Sequence, residues 1–245
     1  MVQIFKDANE LSAAAAELFV QTSKDAIAAK GSFTVALTGG SSPIKLHQLL
    51  ATPAYREEVD WANVFIFWGD ERWVSMEDER SNAKMAFDTL LNFVPIPSGQ
   101  INPMYDAVKS PEEFAPIYEQ WIREQVDEDG VFDLILLGMG DDGHTASLFP
   151  GTAVLKEETK WVDAYYLEPQ QMYRITLTAP LINRAKKIVV ITFGEKKTHA
   201  LHEVLEGEHN PKLYPSQLLK PVNGELLFMV DEVAASQLSD SKKNH

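Results

Sequence analysis

Short apolar runs alternate along this chain with longer segments in which apolar residues recur every three or four positions. The short runs have the length and composition of buried strands. They predict strands over residues 33–38, 64–68, 132–137, 172–178, 187–193 and 225–230. The strand at 172–178 is a candidate for an antiparallel excursion from an otherwise parallel sheet.

The periodic segments predict helices, and the first of them has clear end signals. Asp7 with Glu10 resembles a helix-capping pair, and Gly31 fits a C-terminal stop. Further helices are predicted over residues 44–51, 81–92, 111–126, 195–206 and 232–238. Alternating strands and helices predict an α/β fold, with a mostly parallel, Rossmann-like sheet and helices on both faces.

No proline- or serine-rich linker divides the 245 residues, so we predict a single domain over residues 1–238. Residues 239–245 are polar and are expected to form a disordered tail. The longest apolar runs are far shorter than the roughly 20 residues that a membrane span needs. The N-terminus lacks the pattern of a signal peptide, so a cytoplasmic location is expected.

Composition narrows the chemistry. The absence of cysteine excludes disulfides, thiolate nucleophiles and cysteine-based zinc sites. With 36 Asp and Glu against 22 Lys and Arg, nucleic acids and anionic membranes are disfavoured as partners. A small anionic molecule can still bind where a few cations converge. The histidines are scattered, so no metal is expected. No cofactor is expected either.

The most informative segment runs from residue 133 to residue 151, where a buried strand stops at a glycine-rich turn. Ligands of open parallel sheets bind at the carboxyl ends of strands. The turn places His144 two residues after Asp142, a carboxylate that can orient an imidazole. This arrangement indicates acid/base chemistry. The alternative is a histidine that merely caps a helix.

A second strand end carries the polar segment Thr38-Gly39-Gly40-Ser41-Ser42-Pro43. Its glycines let a ligand approach the backbone, and Pro43 fits the first position of a helix. Free N–H groups and hydroxyls there would form an anion site. An ordinary strand-to-helix turn is the alternative.

Three cations follow or lie within predicted strands. Arg72 follows the strand at 64–68, and either binds a phosphate or carboxylate or pairs with Glu71 or Asp70 as scaffolding. Arg174 is a charged residue within a strand-like pattern. Lys197, one of two adjacent lysines, reaches the start of a helix after the strand at 187–193. A solvated lysine face is the alternative for this last position.

One motif is misleading. Residues 138–143 match the dinucleotide-binding pattern G-x-G-x-x-G, with Asp163 about 20 residues further on. Asp141 and Asp142 lie inside the loop and would repel a pyrophosphate. Pro150 and the glycine after it leave little room for the helix that this pattern needs. NAD binding is therefore not predicted.

The run from residue 138 to residue 151 resembles the signature of the 6-phosphogluconolactonases of the pentose phosphate pathway. Serine at position 75, where the family more often has proline, affects only a loop. The resemblance continues, in order, through residues 38–43, 70–74, 81–82, 174–176, 181–183, 194–197 and 215–216.

This resemblance implies hydrolysis of a phosphorylated lactone, with His144 as general base and Asp142 orienting it. The 6-phosphate would be held from among Ser41, Ser42, Arg72, Arg174 and Lys197. Within that set we expect Arg174 and Lys197 at the phosphate and Arg72 at the carboxyl end. The oxyanion donors would be the N–H groups of Gly39 and Gly40, or Arg72.

Two other functions fit the same fold. Glucosamine-6-phosphate deaminases share the Asp-Gly-His turn but follow it with Ile-Ala-Phe-Asn-Glu-Pro, whose glutamate assists ring opening. Phe149 stands in that position here, and an apolar residue cannot move protons. The second alternative is a non-catalytic sugar-phosphate-binding domain of the kind attached to DNA-binding modules. No basic helix-turn-helix region precedes the first strand, and the Asp142–His144 pair would be superfluous for sensing.

Overall fold

The computed structural model describes residues 1–240, and a parallel sheet runs through its centre. Its strands and those of a smaller sheet are β1 (Val2–Phe5), β2 (Phe33–Leu37), β3 (Val64–Trp68), β4 (Asp70–Arg72), β5 (Leu134–Gly138), β6 (Val162–Leu167), β7 (Met172–Leu177), β8 (Lys187–Thr192) and β9 (Glu225–Asp231). Within the described residues the central sheet has six strands in the order β1-β9-β8-β5-β2-β3. Each neighbouring pair is parallel, which confirms the predicted α/β class.

The helices connect these strands and mostly match the predicted segments. They are α1 (Ala8–Lys30), α2 (Ile44–Leu50), α3 (Pro53–Arg56), α4 (Asn82–Thr89), α5 (Pro111–Gln125), α6 (Ala179–Ile182) and α7 (Thr198–Leu205). The helix predicted over 195–206 begins as a 3₁₀ turn, Glu195–Lys197, before α7. The helix predicted over 232–238 is only a 3₁₀ turn, Ala234–Gln237.

The ends of α1 follow from its sequence. Asp7 accepts hydrogen bonds from the N–H groups of Asn9 at 2.7 Å and Glu10 at 3.0 Å. Glu10 in turn accepts from the N–H of Lys6, one residue before the cap. Gly31 ends the helix at a φ of 81°, a conformation that glycine adopts without steric cost. The predicted capping pair and stop are confirmed.

A three-stranded antiparallel sheet, in the order β4-β7-β6, lies beside the central one within the described residues. The predicted antiparallel excursion at β7 is confirmed. β4 and β6 were not predicted, nor was the short N-terminal β1. β4 consists of three charged residues with low strand propensity, so only its pairing with β7 makes it a strand.

Residue 239, near the C-terminal end of the described chain, is held by a hydrogen bond to the rest of the fold. The N–H of Ser239 donates to the Glu206 carboxylate at 3.0 Å, although 239 was predicted to begin a disordered tail. The rest of that prediction, residues 241–245, lies outside the described residues. Among residues 1–240, no helix combines the length and apolar character needed to cross a bilayer.

α2 carries a fully buried histidine, His47, against α4. Its Nδ1 lies 2.9 Å from Thr89 Oγ1, and that hydroxyl donates to the Met85 carbonyl, so Nδ1 is the donor to Thr89. Nε2 is buried without a hydrogen-bond partner. Burial disfavours the imidazolium and lowers the pKa of His47 to about 4.

This histidine makes the protein sensitive to acid. Between pH 6.5 and about 4 the unfolded chain binds a proton at His47 and the folded chain does not. Stability is therefore complete above pH 6.5 and falls as the pH drops toward 4, by up to about 3 kcal/mol. Urea unfolding of His47→Gln is expected to show a shallower loss across this range than wild type. Exposed His209, changed to Gln, is the control, and equal slopes in all three proteins would refute the assignment.

Candidate active site

A cleft of about 290 Å³ opens at the carboxyl ends of β2, β5 and β8, beside the small sheet. This is the edge at which open parallel sheets bind ligands. The cleft is lined by every predicted site residue except Asp142, which contacts His144 but does not line the cleft. Its predicted lining residues are Gly39, Gly40, Ser41, Ser42, Arg72, His144, Arg174 and Lys197.

His144 and Asp142 form the pair that their spacing predicts. Asp142 Oδ1 lies 2.6 Å from His144 Nδ1 and also accepts the His144 backbone N–H at 3.1 Å. Burial alone would raise the pKa of Asp142, but the hydrogen bond and charge of His144 outweigh it and hold that pKa below its usual range. An ionised Asp142 keeps the proton on Nδ1, which leaves Nε2 as the basic nitrogen.

The turn around this pair is closely packed. Gly140 donates its N–H to the His144 carbonyl at 2.8 Å, and Gly143 adopts a φ of 75°. A Cβ at Gly140 would lie 2.1 Å from His144 Nδ1 and 2.6 Å from Asp142 Oδ1. The imidazole also stacks on Phe149, with ring centroids 4.0 Å apart and an interplanar angle of 25°. One orientation of His144 is thereby fixed.

Arg174 is a buried cation with incomplete pairing. It is 4% exposed, and its Nη1 lies 3.8 Å from Asp70 Oδ2, outside hydrogen-bond range. Nη2 donates to the Gln170 side chain, while Nε has no partner. Burial lowers the pKa of Arg174, and the charge of Asp70 opposes this. A guanidinium stays protonated nonetheless, so an anion in the cleft would complete its pairing.

Lys197 reaches the cleft from the 3₁₀ turn that follows β8. Its Nζ lies 2.5 Å from Asp141 Oδ1, so it is an ion-paired residue and not part of a solvated lysine face. Asp141 lines a neighbouring compartment of about 510 Å³. This compartment shares Phe149 and Gln170 with the cleft.

Arg72 lies at the end of β4, and its guanidinium is not paired with Glu71 or Asp70. Its Nη1 donates to the Arg80 carbonyl at 2.7 Å, and the residue lines the cleft. The scaffolding alternative is therefore wrong for these two partners.

Glu71 is instead a buried anchor between β4 and α4. Its carboxylate accepts hydrogen bonds from the N–H of Arg72, Asn82 and Ala83, each at 2.8 Å, and from the hydroxyl of Ser81 at 3.1 Å. Burial raises the pKa of Glu71 to about 7, although these backbone donors oppose the shift. The result is a fixed start for α4, which places Asn82 in the cleft wall.

The turn at 39–42 forms one side of the cleft. Gly40 has a φ of 76°, and a Cβ at Gly39 would lie 1.9 Å from Asn82 Oδ1, so both glycines are required by geometry. Pro43 immediately precedes α2 and does not occupy its first position as predicted, because the helix begins at Ile44. Backbone N–H groups of the turn remain candidates for binding an anion.

Several cleft residues were missed by sequence reasoning. Asp70 lies two residues after the end of β3, and Asn82 lies within the resemblance, so both had a local signal. Gln170 lies at the tip of the β6–β7 hairpin and had none, because β6 was not predicted. The other unpredicted lining residues are Gly138, Met139, Gly140, Ala146, Phe149 and Phe193.

The misleading glycine motif lacks the helix that a dinucleotide site needs. The turn at 138–144 continues into irregular backbone, in which Ala146 has a φ of 46°, and then into a 3₁₀ turn, Ala153–Lys156. Within the described residues, the backbone that follows the turn, from residue 145 to residue 156, contains no regular helix that could offer its N-terminus to a pyrophosphate. Residues 1–240 also contain no group of three or more His, Asp and Glu side chains arranged to hold a metal ion.

Comparison with known proteins agrees with this geometry. Residues 6–228 match the family model described as glucosamine-6-phosphate isomerases/6-phosphogluconolactonase. A 6-phosphogluconolactonase of Synechocystis sp. is 41% identical, with 87% of this chain and 88% of that protein covered. A probable 6-phosphogluconolactonase of Arabidopsis thaliana is 37% identical, with 98% and 94% covered.

A solved structure extends the likeness to three dimensions. The 6-phosphogluconolactonase from Trypanosoma cruzi superposes with a TM-score of 0.82 at 26% identity, covering 97% of this chain and 96% of that one. The chain belongs to the glucosamine-6-phosphate isomerase/6-phosphogluconolactonase family.

Proposed function

We propose that this protein is a carboxylic ester hydrolase that converts 6-phospho-D-glucono-1,5-lactone to 6-phospho-D-gluconate. The observation that carries the proposal is the Asp142–His144 pair, 2.6 Å apart, facing a cleft that also holds three cations. The names of the curated relatives support the same reaction.

In the proposed reaction His144 acts first as a base. Nε2 removes a proton from a water while the water oxygen bonds to the lactone carbonyl carbon, and Asp142 stabilises the imidazolium that forms. The bond from that carbon to the ring oxygen then breaks, and His144 returns the proton to the leaving alkoxide. The new carboxylic acid ionises to give the product. Positioned acid/base catalysis of this kind contributes about 10²–10⁴-fold.

The tetrahedral intermediate needs donors for its negative oxygen. The N–H groups of Gly39 and Gly40, or the Arg72 guanidinium, are the proposed donors, and all three residues line the cleft with His144. Arg72 retains donors beyond the one that binds the Arg80 carbonyl, so it can also hold the carboxyl end of the product.

Arg174 and Lys197 are the proposed phosphate ligands. A buried guanidinium with a free Nε and an ammonium that lines the same cleft offer charge-assisted hydrogen bonds to phosphate oxygens. Ser41 and Ser42 can add hydroxyl donors from the turn after β2.

The position of Phe149 favours hydrolysis over deamination. Its ring stacks on His144 and lies 5.4 Å from the Arg174 guanidinium carbon, so an apolar surface occupies the place of the acid that the deaminases use. Lactone hydrolysis needs no proton relay there.

Replacing Arg174 should mainly weaken binding. Arg174→Gln is expected to raise KM for the lactone and Kd for 6-phosphogluconate by about 10- to 100-fold, since charged hydrogen bonds are lost. Gln keeps a polar side chain at this buried position but removes the charge, and a melting curve checks that the fold is intact. A variant with intact fold and unchanged KM would remove Arg174 from the phosphate site.

A further inference from the structure

The glycine-rich turn carries a second carboxylate, Asp141, that the proposed reaction does not use. Asp142 pairs with His144, whereas Asp141 pairs with Lys197 at 2.5 Å. The Lys197 side chain is 22% exposed and that of Asp141 is 56% exposed. The pair therefore stands at the rim of the cleft, where solvent reaches one partner much more than the other.

This pairing matters because Lys197 is a proposed phosphate ligand. An incoming phosphate must share the ammonium with a carboxylate or displace it. Ion pairs as exposed as this one are weak, so a dianion can compete for the lysine. The carboxylate still lowers the net positive charge that the ligand meets.

The Asp141–Lys197 pair bears on product release, because the product carries more negative charge than the substrate. Hydrolysis of a phosphorylated lactone adds a carboxylate to a molecule that already carries a phosphate. A cleft with three cations therefore attracts the product more strongly than the substrate. A carboxylate beside one of those cations would counteract product retention.

We propose that Asp141 sets the affinity of the cleft for phosphorylated ligands by competing with them for Lys197. This inference rests on the proposed function, because it assumes that Lys197 binds the phosphate. Asp141 is a positioning residue that weakens binding, in contrast to its neighbour Asp142.

The test is calorimetric titration of 6-phosphogluconate, with lactone kinetics measured in parallel. Asp141→Asn keeps an acceptor for Lys197 but removes the charge, and it is expected to bind the product about 3- to 5-fold more tightly, near the upper value of an exposed ion pair. The kinetic effect of this substitution should appear in KM. Asp141→Glu, which keeps the charge, should bind within about 2-fold of wild type.

A double-mutant cycle with Lys197→Met separates competition from general repulsion. If Asp141 acts through Lys197, the Asp141→Asn effect should largely disappear in the Lys197→Met background. An equal effect in both backgrounds, or no tighter binding in Asp141→Asn, would overturn the inference. The proposed function would still stand if the wild type hydrolyses the lactone. A wild type that neither hydrolyses the lactone nor binds the product would overturn both.

Discussion

His144→Ala is expected to lower kcat for lactone hydrolysis by about 10²–10⁴-fold, the usual contribution of a positioned base. The affinity for 6-phosphogluconate should change little, because the proposed phosphate ligands remain in place. Initial rates must be corrected for the spontaneous opening of the lactone, which sets the floor of the assay. Calorimetric titration of the product measures the second quantity.

The matched control is His209→Ala, which removes an exposed imidazole outside the cleft and should keep wild-type turnover. Full turnover in His144→Ala would show that another group activates the water. Equal losses of turnover and product affinity would assign His144 to binding.

Gly140→Ala should lower kcat nearly as much as His144→Ala does, although it removes no functional group. The added Cβ would lie 2.1 Å from His144 Nδ1, a separation that real Cβ atoms do not show. Because the backbone of Gly140 lies outside the left-handed region, the damage comes from displacing the imidazole or Asp142 and not from backbone strain. We expect kcat to fall by about 10²-fold or more, as for loss of the base itself.

Gly99→Ala is the control for this change, since its Cβ would meet nothing within 4 Å. Melting curves of both variants separate a local effect from unfolding. A Gly140→Ala enzyme with normal kcat would mean that the close His144–Asp142 contact is not needed for turnover.

The strands and site contacts that could be predicted from the sequence are those set by residues close together in the chain. Continuous apolar runs mark β2, β5 and β8 because both faces of a central parallel strand are buried. The Asp142–His144 contact joins residues two positions apart, so its spacing was visible in the chain.

The parts that were missed depend on contacts between distant segments. β4 is a strand only because Arg72 pairs in register with Arg174. The incomplete pairing of Arg174 depends on Asp70, which comes from the distant β4. Its contact with Gln170 depends on the hairpin turn between β6 and β7. The sequence offered Glu71 only as one possible partner of Arg72, and its role as the anchor of α4 depends on how that helix packs.

The central claim, enzymatic hydrolysis of the phosphorylated lactone, is tested most directly by an assay in which the lactone is generated in place from glucose 6-phosphate. Formation of 6-phosphogluconate is followed with wild-type protein, with His144→Ala and with no protein. We predict that wild type accelerates product formation well above the spontaneous rate and that His144→Ala loses most of this acceleration. A wild-type rate equal to the spontaneous rate would contradict the claim, and ammonia release from glucosamine 6-phosphate would then point to the deaminase alternative.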